Sequence, residues 1–91
     1  MLNEWKAAGV PFYYVKIHGD RRQTSTLDIL GCLCGRFIGI ELKAKGNEPT
    51  PRQALALRLI HQAGGVAIVA YDLDTVRERL TPILKEHYAN E

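Results

Sequence analysis

The sequence predicts a mixed α/β fold, and three observations carry that prediction. An aromatic and β-branched segment, Phe12 to His18, is followed by two apolar runs that flank Cys34-Gly35, the pattern of three successive strands with a tight hairpin between the last two. Thr50-Pro51-Arg52-Gln53 opens a helix, with Thr as N-cap, Pro in the first turn and Gln three residues after the cap. Behind Gly64-Gly65, the run Val66 to Tyr71 is almost continuously apolar, as in a strand covered on both faces.

Taken in order, residues 2–8 form a short helix that Gly9-Val10-Pro11 ends, because Gly favours a helix C-terminus and Pro disfavours helix before it. Phe12 to His18 is the first strand, and Gly19 to Ser25 is a polar loop with two arginines. Leu27 to Leu33 and Arg36 to Lys43 are the hairpin strands, and Gly35 supplies the positive φ of the turn. After the loop Lys45 to Pro49, a helix is expected from Pro51 to about Ala63, then the strand Val66 to Tyr71. Asp72 or Asp74 caps a final helix whose apolar Val76, Leu80, Ile83 and Leu84 share one stripe, and Pro82 is expected to bend or restart it at Thr81. The order α–β–β–β–α–β–α makes a meander followed by a crossover helix and a parallel strand.

The 91 residues suit one domain, residues 1–91, since a chain of this size buries only roughly 60–65 % of its unfolded surface. The composition, 46 % hydrophobic and 24 % charged, is that of a globular domain and excludes a disordered or fibrous chain. No apolar stretch approaches the roughly 20 residues of a membrane span, and no signal peptide opens the sequence, so a cytoplasmic protein is expected. Cys32 and Cys34 are too close for an easy disulfide and lack partners for a zinc site, which leaves them as ordinary buried thiols. Residues 1–64 carry nine Lys/Arg against five Asp/Glu, while residues 65–91 carry three against five. That basic bias suits a polyanionic partner.

With a two-residue turn at Cys34-Gly35, Leu33 pairs with Arg36 and Asp28 falls opposite Glu41. Lys43 then shares the face of Glu41, while Leu27, Ile29, Ile38, Ile40 and Leu42 point to the other. Opposed carboxylates repel, and a divalent cation held by hard oxygen ligands removes the conflict. The same spacing also fits a plain Lys43 ion pair with one acid while the other faces solvent.

The segment TLDILGC-x-CGRFIGIELKAKGNEPTPRQ…AGGVAIVA, residues 26–70, resembles the VRR-NUC domain of the PD-(D/E)xK nuclease superfamily. The match lies in an Asp before a hairpin, E-x-K on the next strand, and Gln at the start of the following helix. The resemblance implies a restriction-endonuclease-like mixed sheet flanked by helices. It also implies a Mg²⁺- or Mn²⁺-dependent DNA endonuclease with Asp28, Glu41, Lys43 and Gln53 as its catalytic set. Asp28, Glu41 and the backbone carbonyl of Leu42 would hold the metal, and Lys43 the attacking water. The chain departs from the family in having Leu27 where Pro is usual and a short first helix, in which Glu4 is the one acid available as a further ligand. Lys16, His18, Arg21, Arg22, Lys45 and Arg52 are the candidate phosphate contacts. The expected substrate is branched or flapped DNA, and the expected state a homodimer that covers Trp5, Phe12, Tyr13 and Tyr14, by analogy with junction resolvases. The other readings are a catalytically inactive DNA-binding subunit and a structural α/β domain.

Overall fold

The computed structural model describes residues 2–17 and 27–90. Its elements are α1 (Leu2–Ala7), β1 (Phe12–Lys16), β2 (Ile29–Leu33), β3 (Arg36–Leu42), α2 (Pro51–Gln62), β4 (Val66–Ala70) and α3 (Leu73–Ala89). The strands form one sheet in the order β1-β2-β3-β4. The first two pairings are antiparallel and the third is parallel, so the protein is α/β, with a mixed sheet flanked by helices in the expected order.

The hairpin turn sets the register. Cys34 and Gly35 have φ of 50° and 84°, both left-handed, as a two-residue hairpin turn requires. Leu33 pairs with Arg36, and the ladder runs on to Ile29 opposite Ile40. A slip of one residue would turn every side chain to the wrong face. In this register Phe12, Ile29, Leu33, Ile38, Ile40, Ile68 and Ala70 all enter one core, against Val76, Leu80 and Ile83 of α3. Leu2 and Trp5 of α1 pack against the same core.

The opposite face carries α2, which crosses from β3 to β4 and packs on those two strands. Gly39 lets it sit close: a Cβ there would stand 2.6 Å from Ile60 Cδ1 and 2.9 Å from Leu27 Cδ1. Leu27 therefore packs on the α2 side, not beside Ile29 as strand alternation predicted. The reason is that β2 begins only at Ile29, and alternation holds only within the extended ladder.

Two other expectations need correction. α3 runs unbroken through Pro82, so there is no restart at Thr81. Pro82 lies on the exposed face, where the missing backbone donor leaves a carbonyl that water can satisfy, while buried Leu80 and Ile83 tie both halves to the sheet. Cys32 is exposed and Cys34 half-buried, because Cys32 faces the α2 side and α2 does not reach over β2. None of the described helices is long and apolar enough to cross a membrane.

Gly39→Val should cost roughly 1–3 kcal/mol of stability through overpacking beneath α2, measured as a lower urea midpoint with an unchanged slope. An unchanged midpoint would mean that α2 does not need this close approach.

Candidate metal centre

β3 places Glu41 on the α2 face, one residue beyond the last β2–β3 pair, where it is 2 % exposed. Asp28 precedes β2 and is half-buried. Its Oδ2 accepts the Leu42 N–H at 2.8 Å, which ties the carboxylate to the residue next to Glu41. Lys43 lies past the end of β3, where its N–H donates to the Ala70 carbonyl at 2.9 Å. Its Nζ stands 3.5 Å from Glu41 Oε1. The register thus brings Asp28, Glu41 and Lys43 together as expected.

The burial of Glu41 has an electrostatic consequence. Its pKa is pushed from 4.5 up to about 7, first by burial, then by a side-chain hydrogen bond to Asp28 and the Asp28 charge, with Lys43 opposing. Desolvation penalises the charged form, and one ammonium at ion-pair distance does not offset it. Glu41 Oε2 is buried without a hydrogen-bond donor among the described residues. A proton on Glu41 would let it donate to Asp28, since two carboxylates can hydrogen-bond only when one is protonated. Without a proton or a cation, a charged oxygen is left orphaned, which is costly.

The donor set suits magnesium, a hard cation that binds through one or two carboxylates and keeps several waters. No group of three or more His, Cys, Asp or Glu able to hold a metal occurs among the described residues. Glu4, exposed on α1, therefore stands apart from the Asp28–Glu41 pair. Among the described residues the candidate donors are the Asp28 and Glu41 carboxylates, with the Leu42 carbonyl as the backbone candidate.

Gln53 is buried in the first turn of α2, at the same end of the sheet as Glu41. Its Oε1 accepts the Thr50 N–H at 2.9 Å, and Thr50 Oγ1 accepts the Gln53 N–H at 3.2 Å, so the expected capping box is formed. Lys16, Lys45 and Arg52 are exposed, as phosphate contacts must be. His18, Arg21 and Arg22 lie outside the described residues.

A feature not anticipated from the sequence adjoins this centre. Leu42, Lys43, Tyr71, Asp72 and Leu73 line a hollow of about 370 Å³ at the C-terminal ends of β3 and β4. The available signal was the parallel β3–α2–β4 unit, since open α/β sheets bind ligands beyond the carboxyl ends of their strands.

No family model, curated protein or solved structure matches the chain.

The raised Glu41 pKa fixes the sign of a pH effect. Between about 4.5 and about 7 the folded protein holds a proton that the unfolded chain releases, so stability in chelator is highest below this window and falls as pH rises through it. The loss should reach up to roughly 3 kcal/mol. Glu41→Gln, whose amide can donate to Asp28, should flatten the profile and be the more stable protein at pH 8. Equal slopes for parent and variant in urea titrations would show that Glu41 is not the group responsible.

Proposed function

We propose that the protein is a magnesium-dependent deoxyribonuclease of the VRR-NUC type that cleaves branched or flapped DNA in the cytoplasm. The observation that carries this reading is the orphaned Oε2 of Glu41 beside the Asp28 carboxylate, with Lys43 in attendance. A structural domain gains nothing from a buried, proton-hungry acid next to a second acid, whereas a metal site needs one.

Asp28, Glu41 and the Leu42 carbonyl would hold Mg²⁺, or Mn²⁺ in its place. When bound, the metal supplies Lewis acidity at the phosphate and lowers the pKa of a coordinated water. The Leu42 N–H orients the Asp28 carboxylate, and burial under α2 keeps bulk water from Glu41. Lys43 brings a positive charge to the carboxylate pair, where it orients the attacking water and offsets negative charge developing on the phosphate oxygens. Gln53 fixes the start of α2 at the same end of the sheet. Lys16, Lys45 and Arg52 meet flanking phosphates, which contributes affinity without reading sequence.

A second reading is favoured by one observation, the six-residue α1 whose Glu4 stands apart from the pair. In that reading the chain binds DNA but does not cut, the shortened first helix having cost it the reaction.

The expected homodimer needs a surface other than the one anticipated. Phe12 is buried, and Trp5 and Tyr14 pack on the α3-side core; of the four aromatics only Tyr13, 66 % exposed, is largely free to meet a partner. Tyr13 pairs with Cys32, and Cys32 with Phe37, so one exposed row crosses three strands on the face that α2 leaves open. A second copy packed there would cover Tyr13, Val15 and Phe37.

Flapped or four-way DNA should be cut with Mg²⁺ or Mn²⁺ and spared in EDTA, and Asp28→Asn, Glu41→Gln and Lys43→Ala should each abolish cutting with the fold retained. Full activity in Glu41→Gln would remove the reading, and DNA binding with no cutting in the parent would favour the inactive subunit. Light scattering should give roughly twice the 10.2 kDa chain mass, and Tyr13→Asp with Phe37→Asp a monomer; a monomeric parent would refute the dimer alone.

A further inference from the structure

The hollow at the ends of β3 and β4 has features that the carboxylate centre does not use. Tyr71, 49 % exposed, and Leu73, 62 % exposed, form its rim, and Leu42, 39 % exposed, contributes an apolar wall. Three sizeable apolar side chains thus meet solvent around this one hollow. The Tyr71 ring is held in place, because its hydroxyl donates to the Asn47 carbonyl at 2.8 Å. Its face need not be ordered again when something lies against it.

Two charges bound the hollow and select what fits. Asp72 lines it, and its Oδ1 accepts from the Thr75 N–H and hydroxyl at 2.7 Å each. These bonds favour the ionised carboxylate, which is unsuited to a phosphate. Lys43 lines the same hollow and its Nζ stands 3.5 Å from Glu41 Oε1, so this one residue links the hollow to the carboxylate pair. The chemistry that matches is a flat, neutral, polarisable ring attached to a backbone whose anion lies toward Lys43. About 370 Å³ falls at the lower end of the roughly 300–1,000 Å³ range of small-ligand sites, room for a single nucleotide.

We propose that this hollow receives one unpaired nucleobase, stacked on Tyr71 and packed against Leu42 and Leu73, next to the phosphate held at the Asp28–Glu41 centre. The proposal rests on the nuclease reading and deepens it: it makes the unpaired nucleotide at a branch point the feature recognised. A base in a continuous duplex is already stacked on its neighbours and has no face to offer, whereas a base at a flap junction does. Selectivity for branched DNA then arises from one aromatic face without any sequence-reading module.

The test is a thermodynamic cycle between Tyr71 and the base, with Ca²⁺ in place of Mg²⁺. Binding is measured for a flap with a normal first unpaired nucleotide, the same flap abasic at that position, and an uninterrupted duplex. The parent should bind the normal flap roughly tenfold or more tightly than the abasic one, the scale of one base–aromatic stack. Tyr71→Ala should bind both flaps alike, with duplex affinity unchanged, and Tyr71→Phe, which keeps the ring but loses the bond to Asn47, should keep the abasic penalty at a lower flap affinity. Leu73→Glu, which places an acid on the rim without touching the Tyr71 hydrogen bond, should weaken the normal flap more than the abasic one. An abasic penalty that persists in Tyr71→Ala, or that is missing in the parent, overturns the proposal. So does a Leu73→Glu variant that alters self-association and leaves flap binding intact, which would make the lip a protein contact. If cutting requires Glu41 while the base effect is absent, the nuclease reading stands and only the stacking site falls; a parent that binds no DNA ends both.

Discussion

Burying Glu41 beside Asp28 is the constraint around which the rest of the structure is arranged. Two elements make it unavoidable. The left-handed pair Cys34-Gly35 fixes the hairpin register, which sends Ile38 and Ile40 into the α3-side core and so commits Glu41 to the other face. Gly39 admits Ile60 and Leu27 over β3, which brings α2 down on that face and shuts water away from the acid. Neither element can be relaxed without loss elsewhere: a register slip would empty the core, and a larger residue at position 39 would lift the helix.

The magnitudes decide what the acid can be. An exposed Lys–Glu pair contributes about 0–1 kcal/mol, whereas desolvating a carboxylate costs several. Lys43 at 3.5 Å therefore cannot by itself keep Glu41 ionised, and burial together with Asp28 holds its pKa near 7. A buried acid of this kind destabilises the fold alone, and the proposed divalent ion would relieve it.

Much of this was legible in the sequence because it depends on local chemistry. A two-residue turn containing Gly leaves one register, which is why Leu33↔Arg36 and Ile29↔Ile40 could be read in advance. The Thr50–Gln53 capping box follows equally from spacing. What escaped depended on where α2 and α3 come to lie. Alternation misplaced Leu27, since it precedes the ladder. Pro82 was tolerated because packing on either side outweighed one lost hydrogen bond. Cys32 is exposed, and Glu41 is buried, for one reason: α2 covers β3 and β4 but not β2. Strict alternation along β1 separates Phe12 and Tyr14 from Tyr13. The hollow at Tyr71 was missed because it exists only when the ends of two strands and the start of α3 are assembled.

The most direct measurement is the location of a bound ion in the intact chain. Substoichiometric Mn²⁺ added to isotope-labelled protein broadens the NMR signals of nuclei close to the metal. The amide resonances of Asp28, Glu41, Leu42 and Lys43 should broaden first, and excess Mg²⁺ should restore them. Broadening centred instead on the exposed acids Asp74 or Glu86, or uniform broadening that Mg²⁺ does not reverse, would contradict a metal centre at the Asp28–Glu41 pair.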